Sequence, residues 1–381
     1  MATGQVPPLM EILAEIPDNR QRQGRRHPLP GMLALACVAT LRGYKSIKAI
    51  AEWGANYGEQ YAAQLGFEGH GYPAQPTWYR VFRGLDIEKV EAKLGEWSEW
   101  VLQSLTEKDQ REGISIDGKT LRGSRKQGAP NSHLLAAATH RLGSVLAQVA
   151  VDDHTNEIGQ VEELLLKLVL KGRVVTTDSL LTQRKVAETM VKKGGDYLLP
   201  IKQNQPSTYE ALVYWFDGHP PRPLAHAVAE QTAKGHGRLT HWRLETTTAL
   251  NDYLDWCGLA QCFKLTCRTT YLRSGHTQLQ THYGITSLEP QRAAPAALLH
   301  CKRDHWTIEN RLHWVRDVTF DEDRSQVRMP HAYQLMAAVR NLVITLLRSI
   351  GRINIASSLR HFAAHPELAL RLLTDPLSFG Q

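Results

Sequence analysis

Apolar residues recur at three- and four-residue intervals through residues 9–105, the spacing of helices that bury one face. The continuous apolar run at 32–41 predicts a buried helix. Ser46 is placed to cap the next one, in which Ile47, Ile50, Ala51 and Trp53 keep helical spacing. After a Gly- and Pro-rich break, Thr77 is expected to cap a short helix bearing Trp78, Tyr79, Arg80, Phe82 and Arg83. Residues 86–108 read as an amphipathic connecting helix. Near Gly113 the pattern changes to short apolar runs at 114–116, 133–140, 145–151, 173–177 and 197–201, which predict strands. Arg141-Leu142-Gly143 is the turn between the second and third. Helices are expected at 161–170 and 181–193. Between 205 and 288 the periodicity is that of strands, as at 238–247, 262–271 and 278–285. Pro330 can start a final long helix, whose stripe of Leu335, Met336, Val339, Leu342, Val343 and Leu346 reads as core packing.

Three hairpin-like strands, then helix, strand, helix, strand, is the order of a ribonuclease H-like mixed sheet. The expected fold is therefore α/β, a ribonuclease H-like mixed sheet with a β-rich insertion, preceded by a small all-helical N-terminal domain. The expected division is 1–108 for the helical domain and 109–355 for the catalytic domain. Residues 205–288 are the insertion, and 356–381 are a helical tail. The N-terminal domain ends in an Arg- and aromatic-bearing helix, which makes it a candidate helix-turn-helix reader of DNA.

Composition narrows this picture modestly. A chain of 381 residues with 42% hydrophobic residues is long enough for two or three folded units and too apolar for wholesale disorder. The net charge of +7 permits nucleic acid without requiring it. Five cysteines, an odd number, with no basic-then-apolar segment at the N-terminus, fit a reducing cytoplasm. Cys257, Cys262 and Cys267 are evenly spaced but lack a CxxC pair, so small buried residues are expected there in place of a zinc site. No apolar run approaches the ~20 residues of a membrane span.

The candidate chemistry lies in three segments. Asp117 and Asp178 follow short apolar strands that lie side by side in this topology, and Glu309 sits on a downstream helix. Converging carboxylates are what magnesium-dependent phosphodiester chemistry asks of a protein. Gly118 leaves room for a phosphate beside Asp117. His305, His313 and Arg316 share the helical face of Glu309. The rivals for the third ligand are Asp321, Glu322 and Asp323. Asp153-His154-Thr155-Asn156 reads as a turn, and Glu162 and Glu163 as a solvated helix face. Candidate phosphate contacts are Lys119 and Arg122, with Arg125 and Lys126 beyond them, then Lys202 with Gln203 and Asn204, and Lys234 with His236 and Arg238. Arg80 is the candidate on the N-terminal helix. Trp306 and Trp314 could stack on an unpaired base, but buried packing is the expectation for both.

Several stretches in order carry a resemblance. They are Asp117-Gly118-Lys119 with Arg122-Gly123-Ser124, Asn156-Glu157-Ile158, residues 174–178 with Gln183, Gly195-Asp196-Tyr197, and Lys202-Gln203-Asn204-Gln205. Then come His236-Gly237-Arg238, residues 305–314, Asp317-Val318-Thr319-Phe320 and Glu322-Asp323. Through these the chain resembles the DDE transposases of bacterial insertion sequences, in particular the ISAs group that includes the H-repeat-associated proteins. Arg25-Arg26-His27-Pro28-Leu29 and residues 77–85 resemble that group's associated N-terminal domain.

The resemblance implies Asp117, Asp178 and Glu309 as the catalytic, metal-binding triad, with Mg²⁺ or Mn²⁺ as cofactor. It also implies double-stranded DNA as partner, both the element's terminal inverted repeats and target DNA, and a homodimer on DNA. The implied DNA contacts are Lys119, Arg122, Lys202, Asn204, His236, Arg238, His305, Arg316 and Arg80. No membrane and no small-molecule substrate are expected, and the implied location is the bacterial cytoplasm, at the nucleoid when bound to DNA. The expected reaction is a two-metal, in-line attack on a phosphodiester, first by water at the element's end and then by the freed 3′-hydroxyl on target DNA. The alternatives are a catalytically inactive DNA-binding remnant and a ribonuclease H-like structure-specific nuclease. One departure stands out. The broader group places Tyr, Arg and Lys at fixed distances from its Glu, where this chain has Lys302, His305 and Arg316. Arg303 is a candidate substitute for the missing Arg.

Overall fold

The computed structural model describes residues 6–69, 71–105, 111–122, 132–151, 157–218, 227–327, 329 and 331–377. Helices α1 (Leu9–Ala14), α2 (Leu29–Leu41), α3 (Ile47–Tyr57), α4 (Ala62–Leu65), α5 (Gln75–Gly84) and α6 (Ile87–Leu105) come first. Next are β1 (Gly113–Leu121), β2 (Ser132–Thr139), β3 (Val145–Val151), α7 (Glu157–Leu166), β4 (Val174–Thr177), α8 (Arg184–Lys192) and β5 (Asp196–Ile201). They are followed by α9 (Pro206–Asp217), β6 (Ala227–Gly235), β7 (Arg238–Thr247), β8 (Gln261–Tyr271), β9 (Thr277–Thr286) and α10 (Pro295–Asp304). Two π-helical turns, Ile308–His313 and Val315–Thr319, precede α11 (Ala332–Ser349), α12 (Ile355–Ala364) and α13 (Pro366–Thr374).

The chain divides into two compact units, one of Met1–Gln110, Gly118–Asn156 and Ile308–Gln381, the other of Arg111–Asp117 and Glu157–Thr307. In the first unit, α2 is apolar on every side and is buried from Met32 to Leu41, as the sequence predicts. It packs against α11, whose stripe of Leu335, Met336, Val339, Leu342, Val343 and Leu346 is at most 3% exposed. The Ser46 side chain caps α3, accepting from the Ala49 backbone N–H at 3.1 Å. Thr77 does not cap α5. That helix begins two residues earlier, with Pro76 in its first turn, where a missing N–H costs nothing. A buried polar knot ties α6, β3 and α11 together. The Gln148 amide and the Gln334 amide both donate to Glu91 Oε1, and the Asn341 amide donates to Gln148 Oε1 at 2.8 Å. Helices α12 and α13 pack on α2, burying Phe362, Leu370 and Leu373. Strands β2 and β3 form an antiparallel hairpin, in the order β3-β2-β1.

In the second unit the order is β1-β4-β5-β9-β8-β7-β6. The first three strands are parallel, with Ile116 opposite Thr177 and Val174 opposite Asp196. Strand β9 pairs antiparallel with β5, and β8, β7 and β6 continue as a meander. The strands of 205–288 therefore extend the core sheet. This is the ribonuclease H-like mixed α/β arrangement with a helical N-terminal region.

Besides the Thr77 cap, three expectations are corrected. The segment from 205 opens with a helix, α9, because Pro206 starts it and Leu212 and Thr208 give it a buried side. Helix α8 starts at Arg184 and not at 181, since Leu181 is held in the turn after β4. Strand β1 runs on to Leu121, past the apolar run at 114–116. The turn at 153–156, the basic residues Arg125 and Lys126, and Pro330 lie outside the described residues.

Candidate active site

Asp117 and Asp178 each come one residue after the registered pair Ile116↔Thr177 on parallel neighbours, where strand spacing is ~4.8 Å. Asp117 lies within β1, not beyond its end, and is half-buried. It shares a strand face with Ser115, two residues back. That face is anchored to the end of α10. Ser115 Oγ donates to the His305 carbonyl at 3.2 Å, and the His305 Nδ1 lies 2.9 Å from Thr176 Oγ1 on β4. His305, expected on DNA phosphate, thus has its ring on Thr176.

Asp178 shapes the turn that follows β4. Its Oδ1 accepts from the Leu181 N–H at 2.9 Å, and its carbonyl accepts from the Thr182 hydroxyl at 2.9 Å. Among the described residues its Oδ2 makes no hydrogen bond. Asn204 steadies the same turn, donating to the Ser179 carbonyl at 2.6 Å, while Lys202 is exposed. Both border a groove of about 500 Å³ that also has Tyr209 and His282 on its walls. Lys302, at the end of α10, makes no hydrogen bond or ion pair among the described residues. Burial pushes its ammonium down to about 8, Lys202 pushes the same way, and Asp178 opposes. In the sequence, Lys302 stands out only as a departure from a signature. Its burial beside an aspartate had no signal in the pattern.

Glu309 belongs to the first unit, on a π-helical turn. Such turns are rare and gather at functional sites. Glu309 Oε2 lies 3.2 Å from His313 Nδ1, and the glutamate side chain is 54% exposed while His313 is buried. The hydrogen bond from His313 lowers the Glu309 pKa against the opposing effect of burial, and the charges of His313 and Lys119 add to it. Its Oε1 makes no hydrogen bond among the described residues.

The basic candidates divide. Lys119, expected on phosphate, is 7% exposed, with its ammonium 2.6 Å from both carboxylate oxygens of Asp317. Arg316, expected beside Glu309 facing phosphate, is fully buried. Its Nε donates to Glu322 Oε2 at 2.8 Å, and Arg340 donates to Glu322 Oε1 at 2.8 Å. Glu322 is thereby removed as a rival ligand. Arg122 is exposed, 3.7 Å from Asp323. His236 and Arg238 are at the exposed tip of the β6–β7 hairpin, where His236 and Gly237 both take positive φ, as a two-residue turn of this twist requires. Arg80 is exposed on α5, donating to Thr77 Oγ1 at 3.3 Å. Trp306 and Trp314, expected to be buried, are 65% and 55% exposed. Cys262 and Cys267 are five apart on β8 and so point to opposite faces, while Cys257 is exposed.

The family model described as the transposase DDE domain matches residues 108–346, and the one described as DDE_Tnp_1-associated matches residues 10–98. The chain belongs to the DDE transposase family. Among its relatives, the Escherichia coli K12 protein named "H repeat-associated putative transposase YhhI" is 30% identical over 352 residues, covering 89% of this chain and 90% of that protein. "Putative protein YbfL" from the same strain is 30% identical over 349 residues, with coverage of 89% and 90%. "Putative transposase YncI" of Escherichia coli O157:H7 is also 30% identical, over 89% of this chain. The transposase is thus a DNA-acting enzyme of the insertion-sequence type, and a DDE domain implies use of a divalent metal. Each unit carries donors of the kind such an ion takes: Asp117 and Asp178 in one and Glu309 in the other are hard carboxylates, and Asp178 and Glu309 each keep an oxygen outside any hydrogen bond among the described residues. Among the described residues no helix is long and apolar enough to cross a membrane.

Proposed function

We propose that this transposase cuts DNA at the ends of its element and joins the freed 3′-hydroxyl to target DNA, with Asp117, Asp178 and Glu309 as its acidic triad. The observation that carries the reading is the anchoring of His305 to both aspartate-bearing strands through Ser115 and Thr176. Glu309 follows His305 by four residues, a span of at most ~14 Å of chain. The three carboxylates would hold Mg²⁺ or Mn²⁺, which when bound supplies charge stabilisation at the attacking and leaving oxygens. The chain itself contributes positioning. The Leu181 N–H fixes the rotamer of Asp178, and the contact with His313 orients Glu309 and lowers its pKa. Water is the nucleophile for cleavage, and the 3′-hydroxyl is the nucleophile for joining.

In this reading residues 1–108 serve end recognition, with exposed Arg80, and 109–355 the chemistry. The meander within 205–288 carries DNA contacts at its His236–Arg238 tip, and Lys202, Asn204 and Arg122 contact backbone phosphate. Two ends to be joined call for a homodimer on DNA.

The test is to incubate the full chain with labelled element ends, target DNA and Mg²⁺. Joined product is expected. Cut product alone would make the protein a nuclease, and no product a DNA-binding remnant. Asp117→Asn, Asp178→Asn and Glu309→Gln should each abolish cutting while DNA binding persists. Full activity in any one of them would remove that residue from the triad.

A further inference from the structure

A second groove, of about 810 Å³, lies wholly within the first unit, bordered by the corner after α2, the π-helical turns and the start of α12. Its cations are Arg42, Lys45, Arg311, Arg348 and Arg360, and none of the described residues lining it is acidic. Lys45 and Arg360 are exposed and make no side-chain hydrogen bond or ion pair among the described residues. Arg348 is mostly buried. Its guanidinium donates to the carbonyls of Gly143, at 3.0 Å, and Arg311, so that only neutral oxygens serve it. Burial and the nearby Arg311 charge lower its pKa to about 10. Gly143 makes room for it, since a Cβ there would come within 2.4 Å of Arg348 Nη1. A concentration of positive charge this poorly compensated within the protein matches a polyanion.

The groove also has an apolar side. Trp314, 55% exposed, and Ile353, 87% exposed, both line it. Trp314 follows Glu309 by five residues, on the same stretch of π-helical turns, and Asn310 and Arg311 line the groove directly. Large exposed indole surface amid arginines is the composition that stacks bases while tracking a phosphate backbone. A paired duplex keeps its bases stacked on one another. An indole gains a partner only where a base is unpaired, as at a strand end or an opened cleavage junction.

We propose that this groove binds the DNA strand next to the cleavage position, with Trp314 stacked on an unpaired base and Lys45 and Arg360 on its phosphates. The proposal rests on the transposase reading. It is tested by titrating the full chain, and variants, against two labelled probes: a fully paired duplex, and the same duplex with one unpaired thymine. Trp314→Ala should weaken binding of the unpaired-base probe about tenfold, the loss of one stack, and leave the paired duplex within about twofold. Trp314→Phe should recover most of the loss. Lys45→Gln and Arg360→Gln should each reduce the dependence of log affinity on log salt by about one, on the unpaired-base probe. Tyr253→Ala, which removes an exposed aromatic ring outside the groove, should change nothing. Equal weakening on both probes, no weakening by Trp314→Ala, or unaltered salt slopes would overturn the proposal. If the wild type cuts element ends normally in that case, the groove assignment alone fails. If the wild type binds no DNA, the transposase reading fails with it.

Discussion

Replacing Glu322 with Gln should cost the first unit about 3–5 kcal/mol, more than any exposed charge on it. The carboxylate lies between Arg316 and Arg340, with all three side chains at most 3% exposed. Three contacts hold the carboxylate, Arg316 Nε at 2.8 Å and Nη2 at 2.7 Å from Oε2 and Arg340 Nη1 at 2.8 Å from Oε1, and Arg340 Nη2 also donates to the Lys45 carbonyl at 3.2 Å. Gln keeps the shape and one acceptor but removes the anion that pairs both buried guanidiniums. Breaking a buried pair from one side costs about 3–5 kcal/mol, because the charge left behind cannot return to water. For units of 150–250 residues that is a fall of roughly 6–20 °C in melting temperature. Thermal melts and urea titrations of Glu322→Gln read it directly, with Glu52→Gln as control, since the Lys48–Glu52 pair is exposed and worth under about 1 kcal/mol. The pH dependence has a definite sign. Burial works to raise the Glu322 pKa, but the two guanidiniums more than offset it and hold it below the usual carboxylate value. A depressed acid stabilises fully above its unfolded pKa of about 4.3, and that stabilisation is lost as pH falls through the lower folded value. The gap between wild type and variant should therefore be flat from neutral pH to about 4.3 and close below it. A Glu322→Gln protein within about 1 kcal/mol of wild type at pH 7 would refute the reasoning.

Gly284→Ala should destabilise by about 1–3 kcal/mol, because a Cβ there meets the Leu199 carbonyl at 2.5 Å and Phe263 at 2.2 Å. Gly84→Ala, where nothing lies within 4 Å, should be neutral or slightly stabilising by the same melts. A double-mutant cycle of Lys119→Gln and Asp317→Asn should return a coupling of about 1.5–3 kcal/mol, and a value under 0.5 would show that the 2.6 Å contacts carry little. Lys302→Met should raise stability at pH 7 by on the order of 2 kcal/mol, since a buried ammonium lowered to about 8 is a cost. That cost is full below the folded pKa of about 8 and shrinks as pH rises toward the ordinary value near 10.4, so the gain should fall from pH 8 upward and vanish only above about pH 10.4.

Much of the fold could be read from the chain because its elements announce themselves locally. The apolar run of α2, the Ser46 cap and the 141–143 turn each depend on neighbours in sequence, and each is found as expected. The failures share a different cause. Thr77 looked like a cap because Ser and Thr favour that position, but Pro76 fixes the helix start through its own ring. Strand β1 outruns its apolar stretch because pairing with neighbours, not side-chain hydrophobicity, holds Gly118 to Leu121 extended. Helix α9 was hidden in a segment whose overall periodicity is that of strands.

For the site, charge type was legible but charge partnership was not. Within fifteen residues, Glu309 and Glu322 look equally available in sequence, and helical spacing puts Arg316 beside Glu309 as readily as beside Glu322. The fold decides between them through burial. Arg316 at 0% exposure must be neutralised from within, so it takes Glu322 and leaves Glu309 with a single imidazole contact and over half its side chain in water. The same logic separates Lys119, bound at both ends of Asp317's carboxylate, from Lys45 and Arg360, which face solvent without an acidic partner among the described residues. A buried cation is consumed by the architecture, and an exposed, uncompensated one remains to meet an anion from outside. Sorted this way, Lys119 and Arg316, the basic residues that sequence puts closest to the acidic candidates, are structural. On the rim around Trp314, the exposed charge without an acidic partner among the described residues comes from Lys45 and Arg360, which lie outside every stretch that carries the resemblance.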